Sequence, residues 1–515
     1  MRHRVRLRGA LALAAGALLA CAFAPLQWWP LAICCPAVLM WLWHEATPRE
    51  AAWYGFWFNT GTFIAGTYWL YISLHIFGEA PLYVAVFLML ALVAIMGLYY
   101  ALLGYVVARW LPQRGGIRWL FAVPAAWLLT EWWRGWFLSG FSWLSLGYSQ
   151  TDTWLASLAP IGGVYALSAA LLLGAGALTT LVLGCNRLRL IAVALGVAPW
   201  LSASFLHATQ WTQPSGPAVS VAVIQGAVPQ DQKWLDSNKD ATLALYHAMT
   251  ERALDHRLIV WPEAAPPELA NDLVDWIKDI YSDAQAHGAA LVFGIVRASD
   301  DGEQYYNSVL ALDHQVSWYN KSHLVPFAEF FPVPAFVRMW LRLHSLPYAD
   351  FTRGAADQPA LSAGGLHLGA TICYEDAYGS SMLHVLRHAD ALVNVTNDAW
   401  FGHSSARHQH FQIARMRALE AGRFLIRAAN DGISGVIGPR GEVLARAPEF
   451  TPVMLQAMVT PYGGLTPYAL VGNWPVISVC ALVLACSVWV GNHRRQPVRG
   501  AAVGTPGAAS RLEQA

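Results

Sequence analysis

Residues 366–375 read LHLGATICYE, a run of apolar and β-branched residues that leads directly into Cys373. The apolar part predicts a buried β-strand, because short, nearly continuous apolar runs suit a sheet that is covered on both faces. Residues with reactive side chains, beginning with Cys373, come directly after the end of this predicted strand. In open α/β sheets, ligands gather beyond the carboxyl ends of the strands. The stretch therefore predicts both an α/β fold and the position of a site.

The surrounding sequence repeats this pattern of short apolar strands alternating with helices. Such alternation is typical of an α/β sheet. Turn residues within 306–319 and 434–444 predict two further antiparallel hairpins. Strands are predicted at residues 219–225, 258–261, 290–294, 366–372, 391–395 and 424–428, and helices at 237–256, 268–287, 380–388 and 406–422.

Composition sets this α/β region apart from the rest of the chain. Of 515 residues, 56% are hydrophobic and 13% are charged, against about 25% charged residues in ordinary soluble domains. The net charge of +1 offers no basic surface for nucleic acid, and the apolar content excludes intrinsic disorder. Apolar stretches of about 20 residues predict membrane-spanning helices. About eight are expected, at residues 9–24, 26–43, 51–74, 81–108, 117–133, 160–184, 190–206 and 472–491.

These stretches divide the chain into three predicted parts. Residues 1–216 form a membrane domain with about seven spans, residues 217–460 form the α/β domain, and residues 461–515 hold the last span and a polar tail. Arginines at the N-terminus, in alternate hinges and in the tail fall on one side of eight spans. Because basic residues concentrate on the cytoplasmic side, both termini are expected there. The α/β domain would then face the periplasm of a bacterial inner membrane.

The first apolar stretch has a second interpretation. Arginine-rich residues 2–8, the apolar run and Ala22-Phe23-Ala24 are also typical of a signal peptide, and residues 18–21 resemble a lipoprotein processing site. Cleavage would leave the mature N-terminus outside. The predicted placement of the α/β domain is the same in both interpretations.

Three reactive side chains follow predicted strand ends: Glu263, Lys321 and Cys373. Cys373 is the one cysteine of residues 217–460, so it forms no disulfide within that domain and is either buried filler or a reactive thiol. The three groups have complementary chemistry. A carboxylate can take the proton of a thiol during attack on a carbonyl, and an ammonium can stabilise the oxyanion.

The order of the motifs adds to this interpretation. Trp261-Pro262-Glu263, then YNKSHLVPFAE at 319–329, then Cys373-Tyr374-Glu375 resembles the nitrilase superfamily. Apolar helices on both sides, with EWWRGW at 131–136 and GFSWLSLGY at 140–148, resemble its membrane-bound branch, the apolipoprotein N-acyltransferase family. The resemblance covers about residues 10–490 and implies an αββα sandwich domain beside a polytopic α-helical membrane domain.

The resemblance also implies roles for individual residues. Glu263, Lys321 and Cys373 match the family triad of general base, electrostatic partner and nucleophile. Glu329 matches a residue that supports the triad by positioning Lys321 or the substrate amine. Further matches are supporting residues at Tyr374, Glu375 and Asn307, and loop tryptophans at Trp234 and Trp400, which contact lipid or else pack at the interface.

The implied reaction is acyl transfer by covalent catalysis. The sn-1 acyl chain of a membrane phospholipid would pass through a Cys373 thioester to the α-amine of diacylglyceryl-cysteine on a diacylated apolipoprotein. No cofactor, metal or nucleic-acid partner is expected, and the enzyme is expected to be a monomer. Apolar loops at residues 327–336 and 340–348 are expected to dip into the membrane surface.

Two alternatives use the same residues differently. A membrane-tethered nitrilase or amidase would hydrolyse a carbon–nitrogen bond with water as the acceptor, and a scaffold or transporter would leave Cys373 idle. His403, His408 and His410 are expected in a solvated loop rather than a metal site. Glu131 and Arg134, one helical turn apart, are either functional or a structural brace.

Overall fold

The computed structural model describes residues 2–112, 116–330, 339 and 351–493. Within these ranges, a group of apolar helices is followed by an α/β region and then by a last apolar helix. Residues 331–336 and 340–348 of the loops expected at the membrane surface lie outside the described residues.

Apolar helices occur in every stretch predicted to span the membrane. Their bounds are α1 Arg2–Leu19, α2 Leu31–Leu42, α3 Pro48–Gly66, α4 Leu82–Arg109, α5 Val123–Arg134, α6 Ala159–Leu183, α7 Asn186–Leu206 and the C-terminal helix Trp474–His493.

Helix length does not settle the number of spans. Among the described residues, four helical stretches are long and apolar enough to cross a membrane: His3–Ala22, Leu82–Arg109, Trp154–Leu183 and Asn186–Leu206. Helix α2 has 12 residues and rises about 18 Å, which is less than the hydrocarbon core of about 30 Å. The count of eight spans therefore stays a prediction.

The third predicted span is broken. It was expected to run to residue 74, but α3 ends at Gly66, and a π-helical turn follows at Ile72–Phe77. The side chain of Leu144 packs tightly against Gly66. The segment that carries Leu144 therefore packs against the end of α3.

The α/β region contains two six-stranded sheets, and a short antiparallel pair of Gln213–Pro214 with Tyr462–Gly463 lies at its ends. The strands of the two sheets are β1 Val219–Gln225, β2 Leu258–Val260, β3 Ala290–Ala298, β4 Tyr305–Leu312, β5 Val316–Asn320, β6 Leu361–Ala363, β7 Leu366–Ile372, β8 Ala391–Thr396, β9 Leu425–Ala429, β10 Gly435–Ile437, β11 Val443–Arg446 and β12 Val453–Val459. The first sheet has the order β12-β1-β2-β3-β4-β5 and the second β11-β10-β9-β8-β7-β6. The parallel strands are β1, β2 and β3 in the first sheet and β7, β8 and β9 in the second, and the flanking strands are antiparallel.

The two sheets pack face to face between helices. Along β1, Val221 and Val223 point to the second sheet, whereas Ala222 and Ile224 point to the helices α8 (Asp236–Glu251) and α9 (Val274–Ala286). Helix α10 (Ala406–Ala421) covers the outer face of the second sheet. Because side chains alternate between the two faces of a strand, each sheet buries both faces. This arrangement confirms the αββα sandwich.

Some element bounds differ from those predicted. The helix expected at 268–287 begins only at Val274, because Leu269 and Ala270 first pair with Val296 at the sheet edge. Residues 380–388 form short 3-10 turns rather than a continuous helix. Strand β12 was not predicted. It pairs antiparallel with β1 over its whole length and so completes the first sheet.

Helix α10 also joins the α/β region to the apolar helices. The backbone of α6 is kinked at Gly162 and Gly163, and the freed amide of Val164 donates to Glu420 Oε1 at 2.8 Å. Arg415 forms an ion pair with Asp152 at 2.6 Å. These contacts hold the two parts of the chain against each other.

Helices α1 and α3 approach each other through glycine. A Cβ at Gly16 would collide with the carbonyl oxygen of Phe58, and one at Gly61 would collide with that of Leu13. Small residues at such crossings let helix backbones come close, which favours packing in a membrane.

We expect Gly16→Leu to destabilise the protein by roughly 1–3 kcal/mol, the usual cost of overpacking. The measurement is thermal unfolding of the purified protein in detergent. Ala14→Leu is the matched control, because Ala14 lies on the exposed side of the same helix. Equal melting temperatures for the two variants would contradict the close helix crossing.

Candidate active site

The three reactive side chains predicted from the sequence lie beyond strand ends. Cys373 directly follows β7 and Lys321 directly follows β5, while Glu263 lies just beyond β2. Strands β2 and β5 belong to one sheet and β7 to the other. The packing of the two sheets brings Glu263 and Lys321 close enough for their charges to act on the Cys373 thiol.

The ammonium group of Lys321 is buried between two carboxylates. Its Nζ lies 2.8 Å from Glu329 Oε1 and 3.4 Å from Glu263 Oε1. Asn307 Nδ2 donates to the same two oxygens, at 3.0 Å and 2.7 Å. Desolvation favours a neutral amine, but Glu329 and Glu263 outweigh it and raise the pKa of Lys321. Lys321 is therefore a fixed cation in this site.

Further groups hold Glu263, and the sequence analysis did not identify them. The backbone amide of Asn397 donates to Glu263 Oε2 at 2.9 Å, and Lys233 Nζ donates to the Glu263 carbonyl oxygen at 3.1 Å. Burial lowers the pKa of Lys233 to about 8, against the attraction of Glu263 and Asp431. The sequence did contain a signal for these two residues. Lys233 directly precedes Trp234 and Asn397 stands three residues before Trp400, and both tryptophans match the family.

Glu375 ties the Lys321 loop to strand β7, which leads into Cys373. Its Oε1 accepts from the backbone amides of Ser322 and His323 at 2.7 Å and 2.9 Å, and its Oε2 accepts from the Ile372 amide at 2.8 Å. The Tyr319 hydroxyl donates to the same carboxylate. Glu375 therefore links the residues just after Lys321 to the residue just before Cys373.

Cys373 occupies a sharp turn between β7 and a short 3-10 helix. Its φ is +51°, a left-handed conformation that costs a residue other than glycine roughly 1–3 kcal/mol. The residue is partly exposed. Desolvation and the Glu263 carboxylate raise the pKa of the thiol, although Lys321 opposes them. The resting sulfur is thus a neutral thiol that needs a base when it reacts.

A segment of the apolar helical part forms one side of this turn. The hydroxyls of Tyr374 and Tyr378 donate to the carbonyl oxygen of Gly140 at 3.4 Å and 3.0 Å. The Trp143 ring stacks on Tyr374, with centroids 6.2 Å apart. Tyr374, the residue that follows Cys373, is therefore anchored to the chain between α5 and α6.

Glu131 and Arg134 fold this segment. Arg134 Nη1 donates to the carbonyl oxygens of Phe141 and Trp143, both at 2.7 Å, and Glu131 accepts from Ser168 Oγ at 2.6 Å. Both side chains are buried. Of the two roles left open for this pair, these contacts favour the structural brace.

The two loop tryptophans lie at the surface. Trp234 is 51% exposed and Trp400 is 39% exposed. The carbonyl oxygen of Trp400 accepts from Ser73 Oγ at 2.8 Å, next to the π-helical turn that follows α3. Exposed indoles near apolar helices suit contact with lipid, and that role stays a prediction.

The expected solvated histidine loop is wrong for two of its three members, because His408 and His410 lie on helix α10 and His408 is partly buried beside Glu449. His403 is exposed, but His410 is fully buried on α10, where its ring contacts Asp376 and Asp398. The helix turns this side chain inward, which the spacing of histidines alone did not show. Among the described residues, no cluster of His, Cys, Asp or Glu is arranged to hold a metal ion.

Glu263→Gln removes a negative charge beside Cys373 and keeps a side chain of similar shape. Because that charge raises the thiol pKa, we expect iodoacetamide to alkylate Cys373 faster in the variant at pH 8. The gain is up to about tenfold, which a pKa change of about one unit produces. In the wild type, the rate should keep rising above pH 9, since the thiol loses its proton only in that range.

The rate is measured by mass spectrometry of the peptide that contains Cys373. Glu303→Gln, at an exposed glutamate, is the control and should alkylate like the wild type. Alkylation of Glu263→Gln at the wild-type rate would show that the carboxylate does not act on the thiol, and slower alkylation would show that it does not raise the thiol pKa.

Comparison with known proteins finds similarity in both the apolar helical part and the α/β part of the chain. Family models match residues 15–177 (apolipoprotein N-acyltransferase N-terminal domain) and residues 220–467 (carbon-nitrogen hydrolase). The apolipoprotein N-acyltransferase of Methylococcus capsulatus is 43% identical over 92% of this chain and 94% of that protein. The one of Vibrio parahaemolyticus is 39% identical over 95% of this chain and 98% of that protein.

Among solved structures, an amidase from Nesterenkonia sp. is similar at 21% identity, with a TM-score of 0.36 over 48% of this chain and 92% of that chain. The relatives from Methylococcus and Vibrio match both the apolar helices and the α/β region, nearly from end to end. On that full-length similarity, the chain belongs to the apolipoprotein N-acyltransferase family of the nitrilase superfamily.

Proposed function

We propose that this enzyme moves an acyl chain from a membrane phospholipid, through a thioester on Cys373, to the α-amine of a diacylated apolipoprotein. The observation that carries the proposal is the setting of the Cys373 thiol. It is partly exposed, lies beside buried Glu263 and Lys321, and belongs to a turn whose tyrosine hydroxyls donate to Gly140 in the apolar helical part. A site for a soluble substrate would not require that contact.

The first half-reaction forms the thioester. Glu263 takes the thiol proton as the sulfur attacks the sn-1 ester carbonyl of the phospholipid. Lys321 stabilises the negative charge that develops on the carbonyl oxygen, and the backbone amide of Tyr374, the residue after the nucleophile, is a second donor for it. The carbon–oxygen ester bond then breaks. The glycerol oxygen leaves with the proton from Glu263 as lysophospholipid.

The second half-reaction transfers the acyl chain. The α-amine of the lipoprotein attacks the thioester carbonyl, and Glu263 accepts a proton from the nitrogen. The carbon–sulfur bond breaks, and the same proton returns to the sulfur of Cys373. An amide forms, so the lipoprotein gains a third acyl chain. The hydrogen bonds of Lys321 to Glu329 and of Asn307 to Glu263 hold the Lys321 and Glu263 side chains in place during both half-reactions.

The placement in the membrane follows from the substrates and the charges. Both substrates are anchored by acyl chains, so the site has to lie at a bilayer surface. The arginine distribution supports cytoplasmic termini and a catalytic domain at 217–460 on the periplasmic face of the inner membrane. Residues 1–216 and the last helix would then form the membrane domain, and the exposed rings of Trp234 and Trp400 would contact lipid at its surface. The enzyme acts as a monomer.

The test is the intact mass of the purified enzyme after incubation with phospholipid vesicles. We expect the wild type to gain one acyl mass and Cys373→Ala to gain none. Glu263→Gln should also gain none, even though its thiol alkylates faster, because it lacks the base. Adding a peptide with an N-terminal diacylglyceryl-cysteine should clear the adduct and place the acyl group on the peptide amine.

Other outcomes decide against the proposal. An adduct that water clears as fast as the peptide does indicates a hydrolase of the amidase type. No adduct in folded wild-type protein, with Cys373→Ala indistinguishable from it, indicates a scaffold or transporter.

A further inference from the structure

Four buried charged side chains, Asp376, Asp398, His410 and Arg427, form a closed ring of ion pairs next to the turn that begins at Cys373. Asp376 contacts His410 Nε2 at 3.0 Å and Arg427 Nη1 at 3.1 Å. Asp398 contacts His410 Nδ1 at 2.7 Å and Arg427 Nη2 at 3.0 Å. None of the four side chains is more than 1% exposed. Charges this deep in a protein are costly unless they are paired, so the ring requires an explanation.

The ring joins the turn that carries the nucleophile to the turn whose backbone amide holds the base. Asp376 lies in the 3-10 turn that begins at Cys373, and Asp398 follows Asn397, whose amide holds Glu263. His410, on α10, and Arg427, on β9, each contact both aspartates and so connect the two turns. The spacing between nucleophile and base therefore depends on this ring.

His410 alone also reaches the nucleophile directly. Its Nε2 lies 3.2 Å from the carbonyl oxygen of Cys373. The neighbours of Nε2 are that carbonyl and the Asp376 carboxylate, and both only accept hydrogen bonds. Nε2 therefore carries a hydrogen whatever the state of Nδ1, which lies near both Asp398 and Arg427.

The charge of His410 strengthens this contact. Burial and Arg427 disfavour the cation, but Asp376 and Asp398 outweigh them and raise the pKa of His410 to about 9. Hydrogen bonds from a charged donor are roughly twice as strong as neutral ones. The other donor to the Cys373 carbonyl, Asn394 Nδ2, is at 3.4 Å. His410 thus provides the stronger hold on that carbonyl.

We propose that His410 is a positioning residue that holds the left-handed turn at Cys373 through its Nε2–H, so that the sulfur stays in line with Glu263 and the acyl carbonyl. The inference rests on the proposed acyl transfer. The membrane part contributes to it, because the Trp143 ring lies over His410 with centroids 5.6 Å apart and its Nε1 donates to Gln409 at 2.7 Å. His410 is thereby held from both parts of the chain.

Two substitutions separate the two ring nitrogens. His410→Gln can place an amide N–H where Nε2 stands, whereas His410→Asn reaches only the Nδ1 side. Both remove the charge and the ring, so both lose the Trp143 contact, and in both Arg427 still holds the two aspartates. They differ in the donor to Cys373.

The measurement is the single-turnover rate of acyl-adduct formation against phospholipid concentration, together with melting temperature and the alkylation rate of Cys373. We expect His410→Gln to react within about tenfold of the wild type, the cost of a hydrogen bond weakened by up to about 1.5 kcal/mol. His410→Asn should react about 100-fold more slowly, as expected for a misplaced nucleophile. The half-saturating phospholipid concentration should be the same in both variants.

Equal rates for the two variants, or equal losses that follow their melting temperatures, would overturn the proposal. If His410→Asn does not fold, His410→Met, which keeps length without a donor, takes its place. If only His410→Gln folds, the role of His410 is stability, and the proposal fails. Wild-type protein that alkylates normally but forms no adduct would instead overturn the acyl-transfer function, and the alkylation rates of the variants would still report on His410.

Discussion

The arrangement of the rest of the site depends on the buried ammonium group of Lys321, whose charge has to be compensated. A cation that is 1% exposed is tolerated because Glu329 and Glu263 compensate its charge. Those carboxylates in turn need donors, which Asn307 and the Asn397 amide supply. Each group is thus held by the next. A base and a cation fixed in this way need little rearrangement when charge develops on a bound carbonyl.

Cys373 is held from several directions at once. Glu375 fixes the strand before Cys373 and the loop after Lys321. The ring of Asp376, Asp398, His410 and Arg427 supports the turn from below. A left-handed cysteine persists only where its surroundings determine it so fully. The strain at Cys373 is therefore balanced by buried polar contacts rather than by local sequence.

The apolar helices contribute to the site as well as to membrane anchoring. Arg134 and Glu131 shape the segment that carries Gly140 and Trp143, and this segment receives the hydroxyls of Tyr374 and Tyr378. Helix α10 presents Gln409 and His410 to Trp143 on the same side. An active site built from both parts suits substrates that are themselves anchored in a bilayer, because the reacting ester has to meet the thiol at the membrane surface.

The fold class, the apolar stretches and the reactive residues at the strand ends could be predicted from the amino-acid sequence alone. These features are local: strand periodicity, apolar length and the residue type after a strand can all be read along the chain. The partners of those residues were decided by the tertiary structure. Lys233, Asn397, Asp376 and Arg427 were not identified, and His410 was placed in solvent, because each contacts a residue that is distant along the chain. Strand β12 was missed for the same reason, since pairing with β1 stabilises it. Long-range packing of two sheets and a helical layer decides which charges meet, and no local pattern contains that information.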